Sequence, residues 1–339
     1  MNINIDIYGI KVQINTESNS LFDMINRYYE PFLVKSLKKV DVSIDLERFS
    51  YFSKWKAFTL SNKFVTFWDW VKIDNDNQKY FFTQQEMSWI LDFSDSNIIK
   101  VSWKLIPNKI RHLIHIALQW ITRIDKYYNR FIIKTCVHDI IFILLEKKLK
   151  SCLLHATAVT NWKKTFLFTG LWGSWKSTMA SSFAKIKWYT ILSDNYAIVS
   201  ENKIYPFPEL PRITKWTQDL LKIKLKNKAD WIKNYLDNDL NNIKKEYKID
   251  KIFICSYWKD FNLEKINDEK YLFELLYSIN NYTKEFPEYL NLSLLSVINK
   301  FNTNKERIYN LEKIVSKNNF YLLENNKNLK DNLKKILNV

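Results

Sequence analysis

Residues 165–195 read TFLFTGLWGSWKSTMASSFAKIKWYTILSDN, and this stretch decides how the rest of the chain is interpreted. An apolar run at residues 165–169 predicts a buried strand. Small residues follow it, and the pattern from Lys176 onward predicts a helix. A second apolar run at residues 189–192 predicts another strand, which ends shortly before Asp194. The stretch is therefore expected to fold as strand, loop, helix and strand.

The loop between the first strand and the helix has almost the pattern of a phosphate-binding loop (P-loop). Gly170 opens the turn, Gly173 keeps it tight, and Lys176 and Ser177 begin the helix. In a P-loop, backbone N–H groups surround the phosphates, the lysine reaches the phosphate oxygens and the hydroxyl binds Mg²⁺. The position before the lysine requires glycine, because a side chain there would occupy the volume of the phosphate. This sequence has Trp175 at that position.

The composition suggests an explanation for Trp175. The chain of 339 residues has 3 glycines and 13 tryptophans, whereas glycine makes up about 7% of an ordinary globular chain. Other tryptophans, such as Trp68, Trp70, Trp162 and Trp258, stand where a turn favours glycine. We therefore interpret many tryptophans as glycines, encoded by UGA codons that the producing bacterium reads as glycine. The alternative is a chain truly rich in tryptophan, and the codon at position 175 decides between the two.

The charge of the chain raises the question of a nucleic-acid partner, because the formal net charge is +16. The lysines are interleaved with acidic residues rather than grouped in blocks, which is typical of solvated surfaces. We therefore do not expect a nucleic-acid partner and keep such a function as a minor alternative.

Cysteine usage and apolar segments indicate the compartment. Cys136, Cys152 and Cys255 are scattered, which predicts free thiols in a reducing environment. The first residues alternate polar and apolar types, so no signal peptide is expected. The longest apolar segment, residues 140–145, is far too short to span a membrane. The expectation is a cytoplasmic protein without a membrane partner, and a homo-oligomer is left open.

Hydrophobic periodicity predicts an α/β chain with a β-rich N-terminal region at residues 1–128. The P-loop pattern assigns residues 129–339 to a nucleotide-binding domain. The core of that domain is expected at residues 151–215, followed by a mainly helical part at residues 216–339. Further predicted strands are residues 3–7, 40–46, 153–159, 197–200, 203–205, 251–256 and 320–323. Further predicted helices are residues 21–37, 110–124, 127–149 and 329–337.

Two residues outside the loop are candidates for the same site. Asp194 follows a predicted strand, where its carboxylate can reach a metal ion or its waters. The alternative for Asp194 is an exposed aspartate that caps a turn. His155 lies in the strand predicted before the loop, and taken alone it is interpreted as a hydrogen-bonded core histidine.

The segment from His155 to about Arg212 resembles the catalytic domain of HPr serine kinase/phosphorylase and its related kinases, which share a phosphoenolpyruvate-carboxykinase-like fold. Members of that family carry a histidine on the strand before the P-loop, as this chain does. Their glycine before the next strand corresponds to Trp188, again a tryptophan in place of glycine. Their acidic pair corresponds to Asp194 and Asn195.

The resemblance implies a kinase that binds ATP and Mg²⁺ and transfers the γ-phosphate to a hydroxyl of a protein, peptide or small molecule. The implied catalytic residues are His155, Lys176, Asp194 and Asn195. The implied metal ligands are Ser177, Asp194 and Glu209. The implied nucleotide-binding residues are Gly170, Leu171, Trp172, Gly173, Ser174, Trp175, Lys176, Ser177 and Thr178.

Asn195 departs from the family pattern. In the true HPr kinases this position is an aspartate that accepts the proton, and an amide cannot act as a base. Either Asp194 takes that role, or the chain is a nucleotide-binding regulator or slow ATPase without an acceptor. A basic nucleic-acid-binding protein is the third alternative.

Overall fold

The structure of the chain is a computed structural model. It describes residues 1–46, 64–67, 71–74, 76, 78–84, 87–95, 98–105, 129–186, 188–207, 212–223, 233–235, 246–257, 260–282, 303–326 and 328–338. The chain forms two compact units, one built on Met1–Leu144 and one on Leu145–Leu290 together with Thr303–Val339. Both units combine helices and strands. The predicted α/β class is therefore confirmed.

The first unit contains an eight-stranded sheet. Its strands are β1 (Asn2–Ile7), β2 (Ile10–Thr16), β3 (Val42–Leu46), β4 (Phe64–Phe67), β5 (Val71–Asp74), β6 (Lys79–Gln84), β7 (Met87–Asp92) and β8 (Ile99–Leu105). Their order across the sheet is β1-β2-β3-β8-β7-β6-β5-β4. Strand β3 runs parallel to both of its neighbours, and the remaining pairs are antiparallel.

Alternation of side chains explains the first strand of this sheet. Ile3, Ile5 and Ile7 are buried, whereas Asn4 and Asp6 between them are partly exposed. Successive side chains of a strand point to opposite faces, so apolar residues at every second position cover one face of the sheet. The predicted strand at residues 3–7 is confirmed.

The helix α1 (Asn19–Tyr29) is shorter than the helix predicted for residues 21–37. Ser18 caps its start through its side chain. A 3₁₀ turn at Glu30–Phe32 ends it, and this turn contains Pro31. Proline has no N–H to donate to the preceding turn of a helix, so it stops the helix although the apolar pattern continues.

A longer helical segment covers residues 129–149. It contains a π-helical part at Ile133–His138 and continues as α2 (Asp139–Leu149). This agrees with the helix predicted for residues 127–149, while the helix predicted for residues 110–124 lies outside the described residues. Within the described part of the chain, no helix is both long and apolar enough to cross a membrane.

The second unit contains a nine-stranded sheet and a separate two-stranded pair. Its strands are β9 (Cys152–Thr160), β10 (Thr165–Thr169), β11 (Thr190–Ser193), β12 (Tyr196–Ser200), β13 (Lys203–Tyr205), β14 (Arg212–Thr214), β15 (Lys233–Tyr235), β16 (Tyr247–Lys248), β17 (Lys251–Tyr257), β18 (Asn262–Ile266) and β19 (Phe320–Asn325). The sheet order is β16-β13-β12-β9-β10-β17-β19-β18, with β11 also paired to β9. Strands β14 and β15 pair only with each other in the described residues.

Helices cover both faces of this sheet. They are α3 (Lys176–Ala184), α4 (Lys215–Leu221), α5 (Glu269–Tyr282), α6 (Thr303–Lys317) and α7 (Leu329–Asn338). One apolar cluster joins the sheet to α3 and α7 and includes Phe166, Phe168, Phe183, Leu323 and Ile336. A second cluster joins the sheet to α5 and α6 and includes Leu154, Leu167, Ile252, Leu276 and Ile314. Burial on both faces explains why the central strands are apolar throughout rather than alternating.

Most predicted strands of this unit are confirmed, but strand β18 was missed. Its residues are exposed or half-buried, and it pairs with β19 as the last strand of the sheet. An edge strand with charged residues carries little of the apolar pattern on which sequence prediction depends. The part after residue 215 contains the two predicted strands, β17 and β19, and also β15, β16 and β18, which were not predicted.

The arrangement of three central strands positions the loop that follows β10. Strand β10 pairs antiparallel with β9 and parallel with β17, and β17 is parallel to β19. The carboxyl ends of β10, β17 and β19 therefore meet at one edge of the sheet. Open α/β sheets commonly bind ligands at such an edge.

Candidate functional site

The loop at the end of β10 begins with a glycine that no other residue can replace without a shift of the backbone. Gly170 has a φ of +145°, and a Cβ atom there would lie 2.5 Å from the carbonyl oxygen of Cys255 on β17. Real Cβ atoms do not approach a backbone oxygen so closely. Gly170 thus allows the loop to pack directly against the end of the neighbouring strand.

The middle of the loop is open and uses glycine for a different reason. Gly173 has a φ of +84°, and a Cβ atom there would meet nothing within 4 Å. Its left-handed conformation, rather than a lack of space, favours glycine. The adjacent Leu171 and Trp172 are exposed, whereas Ser174 is buried.

Trp175 is the residue that precedes helix α3, and its backbone is also left-handed, with a φ of 70°. A bulky residue in this region of φ and ψ is a genuine outlier. Its indole makes no capping hydrogen bond to the helix and packs against Tyr257 and Trp216. Glycine fits this backbone without strain and is among the residues favoured before a helix.

Two other tryptophans at predicted glycine positions have the same backbone conformation. Trp162, in the turn between β9 and β10, has a φ of 71°, and Trp188, before β11, has a φ of 82°. By contrast, Trp89 lies in strand β7 and is buried, as a true core tryptophan would be. These angles support the interpretation of residues 162, 175 and 188 as glycines. Trp68, Trp70 and Trp258 lie outside the described residues.

The lysine of the loop is buried and points into the loop. Lys176 is 5% exposed, and its Nζ donates hydrogen bonds to the carbonyl oxygens of Gly170 (2.8 Å) and Leu171 (2.9 Å). Carbonyl acceptors reduce the cost of burying the ammonium. The positive charge is thereby held at the centre of the loop, where a P-loop binds phosphate.

A carboxylate from the next strand meets the start of the helix. Asp194 is buried, and its Oδ1 accepts a hydrogen bond of 2.8 Å from the hydroxyl of Ser177. The same oxygen accepts a second hydrogen bond of 2.8 Å from the hydroxyl of Thr157 on β9. Asp194 is therefore not an exposed turn-capping residue, which was the alternative interpretation of the sequence.

Asn195 forms the junction between β11 and β12. Its φ of 69° is left-handed, a conformation that asparagine tolerates better than most residues. The side chain is 6% exposed, and its Nδ2 has no hydrogen-bond partner within the part of the chain that the structure describes. The position thus offers a buried amide donor close to Asp194 and no base.

His155 lies on β9, two residues before Thr157, and is buried. Residues at this spacing point to the same face of a strand, so His155 shares a face with the threonine that binds Asp194. Its backbone N–H donates to the side-chain oxygen of Asn280 on α5 (3.0 Å), and its backbone oxygen accepts from Thr169 (3.0 Å). The histidine is thus fixed on the strand beside the loop.

The predicted downstream residues are described less fully. Glu209 lies outside the described residues, and so its predicted role as a metal ligand stays a prediction. Arg212 begins strand β14, and its predicted neighbourhood to the phosphate stays a prediction. No cluster of three or more histidine, cysteine, aspartate or glutamate side chains suited to a metal ion occurs among the described residues.

The three cysteines are free, as predicted, and all of them are buried. Burial raises the pKa of the Cys255 thiol to about 12, and the nearby charge of Lys176 opposes this shift. Burial likewise raises the pKa of Cys136 to about 12. Cys255 therefore acts as an apolar neighbour of the loop and not as a thiolate nucleophile.

Two residues of this region were missed from the sequence. Thr157 contacts Asp194 directly, and the only available signal was its spacing of two residues from His155 on a predicted strand. Tyr257, at the end of β17, contacts Trp175. No local pattern indicates this contact, because it depends on the parallel pairing of β10 with β17.

In comparisons with known proteins, no family model matches the sequence, and no curated protein matches it either.

Proposed function

We propose that this chain is an ATP-dependent phosphotransferase of the HPr-kinase-related type, with a phosphoenolpyruvate-carboxykinase-like P-loop core. One observation carries the proposal: the Ser177 hydroxyl donates to the Asp194 carboxylate, beside the buried ammonium of Lys176. Phosphoryl transfer depends on positioning and on neutralising phosphate charge, and it uses a loop lysine, a loop hydroxyl and a nearby carboxylate for these tasks.

Lys176 and the start of α3 form the phosphate-binding part of the proposed site. The ammonium is bound by two loop carbonyls and can exchange them for the oxygens of a phosphate. The helix that begins at this residue directs its N–H groups and the positive end of its dipole toward the loop. Both features favour an anion at the same place.

Ser177 and Asp194 fit the requirements of a magnesium site. Mg²⁺ prefers hard oxygen ligands and is commonly held by one or two protein groups together with water and phosphate oxygens. The hydroxyl of Ser177 and Oδ1 of Asp194 lie 2.8 Å apart and supply such oxygens. When bound, Mg²⁺ neutralises charge on the phosphates. Such a site does not require a larger cluster of acidic residues.

The acceptor hydroxyl must lose a proton during transfer, and Asp194 is the candidate base. Asn195 cannot accept that proton. His155 faces the same side of β9 as Thr157 and is proposed to lie near the reacting group. The acceptor is a hydroxyl of a protein, peptide or small molecule, and no nucleic-acid partner is part of this proposal.

A second candidate function is a nucleotide-binding regulator or slow ATPase without an acceptor. Asn195 favours it, because its buried Nδ2 can donate a hydrogen bond to a phosphate oxygen but cannot activate a hydroxyl. Binding and slow hydrolysis require the P-loop but not a base for an acceptor.

Single-turnover reactions with γ-labelled ATP and Mg²⁺ test the proposal. The full chain carrying Trp175→Gly is incubated with candidate hydroxyl acceptors, and label on an acceptor is separated from free phosphate. We expect labelled acceptor, and loss of the label in the additional variant Lys176→Met. Free phosphate as the sole product would contradict the transferase and support the slow ATPase. Absence of nucleotide binding would contradict both functions.

A further inference from the structure

Strands β11 and β12 pair with the same strand, β9, and the short link between them, which contains Asp194, leaves part of β9 unpaired on that side. Strand β11 pairs with β9 as far as Ser193, opposite Ala158, and β12 begins to pair at Tyr196, opposite His155. The residues between these two strands are therefore not in register with β9. This interruption places the carboxylate of Asp194 opposite the side chain of Thr157.

The Asp194 carboxylate is held by two hydroxyls from different elements. Thr157 approaches from β9 and Ser177 from the first turn of α3, and both donate to Oδ1 at 2.8 Å. Thr157 is 1% exposed and belongs to the interior of the sheet. A β-branched side chain on a strand has few rotamers, so its hydroxyl is a fixed donor, whereas a serine in the first turn of a helix can reorient.

We infer that Thr157 is a positioning residue for the metal and phosphate site. It would hold Oδ1 of Asp194 in place if the Ser177 hydroxyl served Mg²⁺ instead of the carboxylate. Without this hydroxyl, the carboxylate would lose a donor that the sheet holds in a fixed place, and a metal site depends on such groups to orient its ligands. This inference rests on the proposed function, because it requires nucleotide and Mg²⁺ at the loop.

The role differs from that of an ordinary core threonine. A core threonine packs against its neighbours and finds a hydrogen-bond partner for its hydroxyl. Its removal lowers the stability of the fold by the same amount in the presence and in the absence of metal. A positioning residue instead changes how much Mg²⁺ strengthens the binding of ATP. The measurable quantity is therefore the ratio of ATP dissociation constants in EDTA and in Mg²⁺.

The experiment measures this ratio by calorimetric titration with a non-hydrolysable ATP analogue. The parent is the full chain with Trp175→Gly, and the test variant adds Thr157→Val, which replaces the hydroxyl by a methyl group. We expect the Mg²⁺ enhancement of binding to fall about 10-fold or more, as is usual for groups that orient metal ligands. Binding in EDTA should stay unchanged, and Thr157→Ser should restore the enhancement.

Thr160→Val is the matched control. Thr160 lies on the same strand and is fully buried, but its hydroxyl contacts Thr165 and Lys164 and not the site. It should keep the parent ratio.

Equal ratios for the parent and Thr157→Val would overturn the inference, and Thr157→Ala replaces the valine variant if that variant does not fold. A parent that shows no Mg²⁺-dependent binding would instead overturn the proposed function, and the inference with it.

Discussion

The indole of Trp175 stacks on the ring of Tyr257, with ring centroids 4.5 Å apart and planes inclined by 20°. Trp216 contacts the same indole edge-on at 4.7 Å. These contacts attach residue 175 to the end of β17 and to helix α4. The backbone at this residue nevertheless has the left-handed conformation that a tryptophan adopts at a cost. Packing and backbone strain therefore act in opposite directions at one position.

The substitution Trp175→Gly separates these two effects. Each aromatic contact contributes about 0.5–1.5 kcal/mol, and a left-handed non-glycine residue costs about 1–3 kcal/mol. We therefore expect the free energy of unfolding to change by less than about 2 kcal/mol. The affinity for ATP should rise about 10-fold or more, because the loop gains the close backbone approach that phosphate requires. Urea unfolding and calorimetric titration measure the two quantities.

Trp162→Gly provides the control for this prediction. Trp162 is also left-handed, but it lies in the turn between β9 and β10, and its ring contacts Tyr247 with centroids 5.9 Å apart. Its replacement should leave ATP affinity unchanged. Equal ATP affinity in the starting chain and in Trp175→Gly would show that the indole does not block the loop.

Substitutions of the two loop glycines should have unequal effects. A Cβ atom at Gly170 meets a backbone oxygen at 2.5 Å, so Gly170→Ala forces β17 and the loop apart. We expect a loss of about 3 kcal/mol or more in the free energy of unfolding. Gly173→Ala meets no neighbour within 4 Å and has only the left-handed backbone to oppose it. A loss of about 1–2 kcal/mol is expected there. Equal shifts of the urea midpoint would contradict the close packing at Gly170.

The sequence predicted the elements around the loop because their signals are local. Strand β10 is an apolar run that ends in glycine, and α3 starts where the small residues end. Turn chemistry favours glycine at position 162, the P-loop pattern requires it at position 175, and the family resemblance indicates it at position 188; each of these tryptophans has positive φ. Local rules of this kind need no knowledge of distant residues.

The contacts of the site could not be predicted in the same way. Thr157 reaches Asp194 because β11 and β12 both pair with β9 and leave an interruption between them. Tyr257 reaches Trp175 because β17 is parallel to β10. Both contacts depend on pairings between strands distant in sequence, and hydrophobic periodicity gives the faces of a strand but not its partner.

Asn280 completes the hydrogen bonding of β9 beyond the end of its pairing with β10, which stops at Ala156. Its side-chain oxygen accepts from the N–H of His155 (3.0 Å), and its Nδ2 donates to the carbonyl of Leu153 (3.3 Å). Asn280→Leu would remove both of these buried hydrogen bonds, at about 1–3 kcal/mol each. We expect lower stability and faster hydrogen exchange at the His155 amide.

The control for Asn280 lies on the same helix. Tyr277 is 44% exposed, and Tyr277→Leu should change neither the urea midpoint nor the exchange of His155. If Asn280→Leu left the exchange of His155 as slow as in the parent, the side chain would not be the partner of this strand.

Asn195→Asp tests which of the two proposed functions the chain performs. The substitution places a second carboxylate beside Asp194 without a change of side-chain size, and aspartate tolerates the left-handed backbone at this position. In the Trp175→Gly background we expect measurable transfer to acceptor before the change. In the variant Asn195→Asp we expect the rate of transfer to rise about 100-fold, because the substitution adds a general base. Single-turnover rates with labelled ATP measure both.

Asn195→Ala, which removes the amide without adding a base, should show no gain. Transfer that begins only with Asn195→Asp would identify the natural chain as a nucleotide-binding regulator and would rule out Asp194 as a sufficient base.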